Sequence, residues 1–163
     1  MIILQDTREK IPWNFISYDI CLEQRLCVLS EGDYTLHDYP NLVCIERKRL
    51  VTEIAINLGK KYKQFIDEMK RLQKYRFRYV ICEFPEQELI IYPTNCKLPK
   101  RILSRIRMTG KFLHKRISEI IDKYQIEFIF CEHKYEAQDK AIELLIQAKN
   151  IYDQERFIES GDT

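Results

Sequence analysis

The apolar residues of this chain change their period part-way along it, and that change confines the fold more than any other feature. Up to residue 47 they come in short runs broken by turn-forming residues. Residues 2–5 are one such run, rich in β-branched side chains and closed off by Pro12-Trp13-Asn14. Residues 20–29 alternate loosely and stop at Ser30-Glu31-Gly32-Asp33. Residues 34–36 and 42–47 are two more, separated by Asp38-Tyr39-Pro40-Asn41, which has the composition of a hairpin turn. These runs predict four strands. Beyond them the spacing becomes helical. Phe65, Ile66, Met69 and Leu72 recur on one side, with Lys63, Lys70, Arg71 and Lys74 elsewhere on the turn, predicting an amphipathic helix over 60–75. A buried strand over 79–82 follows, then a short run over 89–92 that ends at Pro93.

Pro99 suits the first turn of a helix, which Ile102, Leu103 and Ile106 continue. Gly110 interrupts, and Phe112, Leu113, Ile117, Ile120 and Ile121 give a second helix. A strand over 127–131 precedes a final helical stripe of Ala137, Ala141, Leu144, Leu145, Ala148 and Ile151. Strands first and helix–strand alternation afterwards predict an α/β fold, a mixed central sheet flanked by helices. Residues 153–163 read as an acidic, flexible tail. That leaves 1–152 as one domain, and 163 residues leave no room for a second of full size.

Composition narrows the class. No apolar run approaches the roughly 20 residues of a membrane span, and the N-terminus lacks the basic and apolar regions of a secretory signal. The six cysteines include no Cys-x-x-Cys pair, and Cys44, Cys82 and Cys131 lie inside apolar runs. They read as reduced core residues, which predicts an intracellular protein: cytoplasmic, within a host cell, or nuclear in a eukaryote. Net charge is only +2, but residues 59–118 carry 16 Lys/Arg against five Asp/Glu, while the segments on either side are acidic. Such a basic middle points to a polyanionic partner.

The chemistry-bearing residues lie where strands end. Gly32-Asp33 closes one, and Glu46-Arg47-Lys48 sits at the end of the strand paired with it beyond the hairpin. Side chains alternate along a strand, so Glu46 and Lys48 share a face and Arg47 takes the other. Two carboxylates bind Mg²⁺ without filling its octahedral shell, leaving places for water and a phosphate oxygen. A neighbouring lysine orients the attacking water or offsets added negative charge. The triplet alone is a weak signal, since Glu-x-Lys also occurs as an ordinary surface ion pair.

Three ordered motifs sharpen it. Asp6-Thr7-Arg8-Glu9 after an apolar run, then Gly32-Asp33-Tyr34, then Ile45-Glu46-Arg47-Lys48 resemble the nuclease domain of the XPF (ERCC4-domain) family of structure-specific endonucleases. That domain has the pattern D-x-R-E, G-D, E-R-K-x-x-x-D on a restriction-endonuclease-like PD-(D/E)xK core. The resemblance covers roughly residues 2–150. It implies a Mg²⁺-dependent DNA endonuclease, with Mn²⁺ substituting, that prefers branched or flapped DNA. By the same resemblance Asp33 and Glu46 hold the metal with the Arg47 carbonyl, Lys48 is the catalytic lysine, and Asp6 and Glu9 add acidic groups nearby. Arg8 and Arg47 either engage phosphate or brace the carboxylates. The chain departs from the pattern at Thr52, where the family has Asp, with Glu53 beside it. The helix-hairpin-helix module common after this domain is not expected here, as in compact phage or viral members. The family also suggests a homodimer, for which Ala141, Leu144, Leu145 and Ala148 offer apolar material, although packing on the sheet accounts for the same stripe.

DNA contacts are expected where acids are missing. No Asp or Glu occurs from residue 89 to 118, while Lys97, Lys100, Arg101, Arg105, Arg107, Lys111, Lys115 and Arg116 do. The helix over 60–75 is a second candidate, diluted by Asp67 and Glu68. Without base-reading motifs, backbone or shape recognition is expected. Two rival readings stay open: a catalytically silent DNA-binding scaffold on the same fold, and Holliday-junction resolution or exonuclease action on the same core.

Overall fold

The computed structural model describes residues 1–96 and 98–160. Six strands form one sheet: β1 (Ile2–Asp6), β2 (Glu23–Cys27), β3 (Tyr34–Leu36), β4 (Val43–Lys48), β5 (Phe77–Cys82) and β6 (Glu127–Phe130), in the order β2-β1-β3-β4-β5-β6. β3 runs antiparallel to β1 and β4, whereas the β1/β2, β4/β5 and β5/β6 pairs are parallel. The mixed sheet expected from the order of runs is the one observed.

The helices are α1 (Val51–Leu58), α2 (Tyr62–Leu72), α3 (Glu86–Ile90), α4 (Lys100–Leu103), α5 (Gly110–Tyr124) and α6 (Lys134–Ser160). They make a layer on each face of the sheet. Val43 and Ile45 of β4 and Ile81 of β5 point into one core with Trp13, Phe15, Tyr34 and the Ala137, Ala141, Leu144, Leu145, Ala148 stripe of α6. Cys44, Val80 and Cys82 point the other way, into a core built by α1, α2 and α5 around Ile54, Phe65, Met69, Leu113 and Ile117. β4 is buried along its whole length, and its apolar residues serve one core or the other.

Helix α1 begins two residues after β4, and its Val51, Ile54, Ala55 and Leu58 have helical spacing and are all buried. Three expectations need correction. The run over 89–92 is no strand. Pro85 precedes the helix α3, which buries Leu89. Asp33 does not close a strand but leads into β3, continuing the ladder by donating its N–H to the Ile45 carbonyl at 2.8 Å. Residues 153–160 are not a tail: α6 runs to Ser160, held by a Lys149–Asp153 pair at 2.5 Å, an Arg76–Glu155 pair and an edge-to-face contact of Tyr152 on Tyr39. Residues 161–163 lie outside the described residues.

The α6 stripe proposed for pairing is packed on the sheet, each of its residues at most 5% exposed, so it is the domain's own core. All six cysteines are free, and Cys44, Cys82 and Cys131 are buried. Among the described residues no helix is long and apolar enough to cross a membrane.

Candidate active site

The turn at Gly32 brings the acids together. Gly32 has φ +68°, a conformation that disfavours side chains, and a Cβ there would collide with Cys44 Sγ and sit 3.0 Å from the Ile45 carbonyl oxygen. Glycine therefore lets the chain press against β4. Asp33, next in line, is bonded on both sides: Asp6 N–H donates to its carbonyl and its own N–H reaches Ile45, both at 2.8 Å. Its side chain accepts the Arg47 backbone N–H at Oδ2, 2.7 Å away.

The alternation of β4 separates its last three residues as expected. Glu46 and Lys48 face the α1/α2 layer and form an ion pair, Nζ to Oε1 2.5 Å, with both side chains under 10% exposed. Lys48 Nζ also lies 5.4 Å over the Phe65 ring of α2. Arg47 turns to the α6 side, 4.9 Å over Trp13. There its guanidinium holds Glu9 at 2.6 Å, the Ile11 carbonyl at 2.6 Å and Glu83 at 2.7 Å, while Trp13 Nε1 donates to the same Glu83 carboxylate at 2.6 Å. Arg47 Nη2 is close to Glu83 but poorly aligned for a hydrogen bond. At 1% side-chain exposure this guanidinium braces carboxylates and is out of reach of a phosphate.

Asp6 is fully buried and spoken for. Its carboxylate accepts from Arg8 N at 2.7 Å, Arg8 Nε at 2.7 Å, Arg8 Nη2 at 2.8 Å and Leu29 N at 2.9 Å. Burial works against its ionisation, but the Arg8 bonds outweigh burial and hold its pKa low. The structure thus assigns Asp6 a bracing part and does not bring it into the pocket. Arg8 remains 70% exposed and can still reach a ligand. Glu9 pairs with Arg47 and also lies outside the pocket lining, though near enough to Asp33 to push its pKa up.

What remains is a polar pocket of about 240 Å³ lined by Asp33 and Glu46, with Arg8, Gln64, Glu68 and Arg71 among the groups around them. Burial raises the Asp33 pKa well above the carboxylate range, and Glu46 raises it further. Glu68, on α2, is pushed up to about 7, first by burial and then by Glu46. Burial disfavours the Lys48 ammonium, but Glu46 more than compensates and its pKa stays above the ordinary value. Lys48 is therefore a fixed cation at neutral pH.

Glu68 is the residue that sequence reasoning missed, having been treated only as a dilution of a basic helix. Its place one turn from Gln64 on α2 is the signal that would have found it, once that helix was known to cover the end of β4. Thr52 and Glu53, at the departure from the E-R-K-x-x-x-D pattern, do not line the pocket. Glu53 accepts the Arg49 backbone N–H at 3.0 Å, closing the start of α1.

Among the described residues no group of three or more His, Cys, Asp and Glu side chains is arranged to hold a metal ion. The donor set is a pair, Asp33 and Glu46, on a peptide ladder whose Arg47 N–H anchors one of them. Asp33 is held against its ionisation by burial and by Glu46 beside it, and a divalent cation between the two acids relieves both costs.

The expected DNA-binding segment is largely open to solvent. Lys100, Arg101, Arg105, Arg107, Lys111 and Lys115 are exposed, and among the described residues only Lys115 of these has an acidic partner, Glu119 at 4.0 Å. Arg116 is half-buried, stacked on Tyr62 and Phe112 and paired with Glu119 at 3.0 Å, so its charge is largely used internally. Lys97 lies outside the described residues. His114 is exposed beside Glu86.

No family model matches the chain, and no protein of curated function matches its sequence. Its fold matches solved structures. XPF from Aeropyrum pernix superposes with a TM-score of 0.65 over 96% of this chain and 70% of that one, at 17% identity. A structure described as XPF from Aeropyrum pernix in complex with DNA matches with a TM-score of 0.61 over 94% of this chain and 65% of that one, also at 17% identity. The chain thus spans about two thirds of those solved chains and has an XPF-like fold.

Proposed function

We propose that this protein is a metal-dependent DNA endonuclease that hydrolyses phosphodiester bonds in branched or flapped DNA. The observation that carries the reading is the joint placement of Asp33, Glu46 and Lys48: two acids in one pocket, with the Lys48 ammonium 2.5 Å from one of them. The XPF-like fold supports it, and so does the DNA named with one of the matching structures.

In this reading Asp33 and Glu46, with the Arg47 carbonyl, hold Mg²⁺ or Mn²⁺. When bound, such an ion would supply an acidified water and offset charge developing on phosphorus. Lys48 cannot act as a base while protonated, so its part is to orient the attacking water or to balance the added charge. Arg8, exposed and lining the same pocket, is placed to take a phosphate oxygen, whereas Arg47 and Glu83 keep the end of β4 in position from the other face. Chemistry and bracing are thus divided between the two faces of one strand.

The test is cleavage of labelled linear, flap, fork and four-way-junction DNA, with Mg²⁺ or with EDTA, beside Lys48→Ala and Asp33→Asn. Flap or fork cutting that needs metal and is lost in both variants is the expected result. Cutting that persists in EDTA or in both variants overturns the assigned site, and binding without cutting in any metal makes the protein a scaffold. Preference for four-way junctions, or digestion from ends, moves it to a resolvase or an exonuclease. Neutralising Arg101, Arg105 and Arg107 is expected to weaken binding and flatten its salt dependence.

A further inference from the structure

The α2 helix carries a second feature next to the pocket. On the far side of Gln64 and Arg71 lies a shallow groove of about 480 Å³ lined by Lys60, Lys61, Lys63, Gln64, Asp67 and Arg71. Gln64 and Arg71 also line the acidic pocket, so the two depressions share one wall. Seven residues apart, they lie on one side of the helix.

The charge of the groove is one-sided. Lys60, Lys61 and Lys63 are exposed, and among the described residues none of the three has an acidic partner. The one acid in the lining, Asp67, is taken by Lys70 at 3.2 Å. Arg71 lies 3.7 Å from the buried Glu31, which Lys74 also neutralises, so Glu31 anchors this wall. Three adjacent unpaired cations repel one another and are held there with no internal compensation. The apolar face of α2, Phe65, Met69 and Leu72, is buried in the core, which fixes the direction in which the groove opens.

We infer that this groove is a binding track for the sugar-phosphate backbone of a DNA strand, which crosses the Gln64–Arg71 wall from the acidic pocket and lies against Lys60, Lys61 and Lys63. The inference rests on the reading of the pocket as a DNA-cleaving site. It assigns a contact surface separate from the basic segment over 97–116. From Lys63 to Arg71 the helix rises about 12 Å, the length of about three to four nucleotides along one strand of a duplex. The track is therefore short, and it holds the backbone flanking the scissile bond with no base readout.

The experiment measures binding apart from cleavage. Fluorescein-labelled flap and linear duplex DNA are titrated in EDTA from 50 to 200 mM NaCl by fluorescence anisotropy. The proteins are the unsubstituted chain, Lys60→Gln/Lys61→Gln/Lys63→Gln, and a control with the same kind of charge removed from α6, Lys140→Gln/Lys149→Gln. Three phosphate contacts correspond to a log–log salt slope shallower by about 2.7. The affinity gap between the unsubstituted protein and the α2 variant is then expected to shrink by about 40-fold across that salt range. The α6 control is expected to bind as the unsubstituted chain does. Unchanged affinity and slope in the α2 variant, or a loss matched by the control, overturns the track. If the unsubstituted protein cuts DNA while the α2 variant binds normally, the track fails and the nuclease reading stands. If the α2 variant loses binding and no protein cuts in any metal, the track stands and the nuclease reading fails. Absence of DNA binding by the unsubstituted protein overturns both.

Discussion

Replacing Glu68 by Gln tests the electrostatics of the pocket without removing a group assigned to the metal. The Glu68 carboxyl has an ordinary pKa of 4.5 and is pushed up to about 7 in the folded chain, by burial and then by Glu46. A folded pKa above the unfolded one means that the folded protein holds a proton the unfolded chain has released. The favourable contribution is therefore complete below about pH 4.5 and is lost as the pH rises to about 7, after which it stays lost. The shift from 4.5 to 7 sets a ceiling of about 3 kcal/mol. Glu68 is only half-buried, so solvent screening brings the expected figure to roughly 1–3 kcal/mol. Gln keeps a donor able to bond Glu46 at every pH and never ionises. In EDTA, then, Glu68→Gln is expected to gain stability relative to the unsubstituted protein between pH 5 and pH 8, and to gain nothing further above that. Asp33 is shifted in the same direction but is present in both proteins, so the difference between them reports Glu68. Urea unfolding at pH 4, 6, 8 and 9 measures it. A stability difference that does not vary with pH, or one that turns against the variant as the pH rises, refutes the placement of Glu68 against Glu46.

The other outcomes follow from burial and geometry. Lys48→Met leaves Glu46 buried without its partner and is expected to cost about 3–5 kcal/mol in urea unfolding, with DNA cutting lost. Arg47→Met strands Glu9 and Glu83 together and is expected to cost a similar ~3–5 kcal/mol, read in the same assay; a loss under 1 kcal/mol would show that the brace is dispensable. Gly32→Ala forces a side chain into φ +68° against Cys44 Sγ and is expected to lower stability by about 1–3 kcal/mol, measured as a lower urea midpoint, because the strain falls on the turn that carries Asp33.

The part of this site that the sequence made legible is the part governed by strand alternation. Glu46 and Lys48 on one face and Arg47 on the other follow from a period of two, and β4 keeps that period to its last residue. Whether Arg47 would meet phosphate or carboxylate could not be read locally, because Glu9 and Trp13 reach it from one distant stretch of chain and Glu83 from another. Glu68 was hidden for the same reason: its significance lies in α2 crossing the end of β4, a tertiary fact, whereas its neighbours in sequence are those of a solvated helix. The last helix shows the opposite error. Residues 153–160 look like tail by composition, but Tyr152 on Tyr39 and Glu155 on Arg76 tie the end of α6 to distant residues, and those contacts outweigh local polarity.

The charges of β4 also explain why the domain tolerates so many buried ions. Asp6, Glu46, Arg47 and Lys48 are all buried, which is costly for isolated groups. Each has a partner of opposite sign: Arg8 for Asp6, Lys48 for Glu46, and Glu9 with Glu83 for Arg47. Asp33 and Glu68 stand apart. Neither forms an ion pair among the described residues, and each is held by its surroundings towards the protonated state. A network assembled only for stability would have supplied both with cations, as it did Asp6, Glu9, Glu46 and Glu83, or replaced them with apolar groups. The two acids left without cations, Asp33 and Glu68, share one pocket with Glu46, while unmet positive charge lies across the Gln64–Arg71 wall in Lys60, Lys61 and Lys63 at the start of α2. A divalent ion satisfies the first and a phosphate backbone the second, and a nuclease brings both to one place.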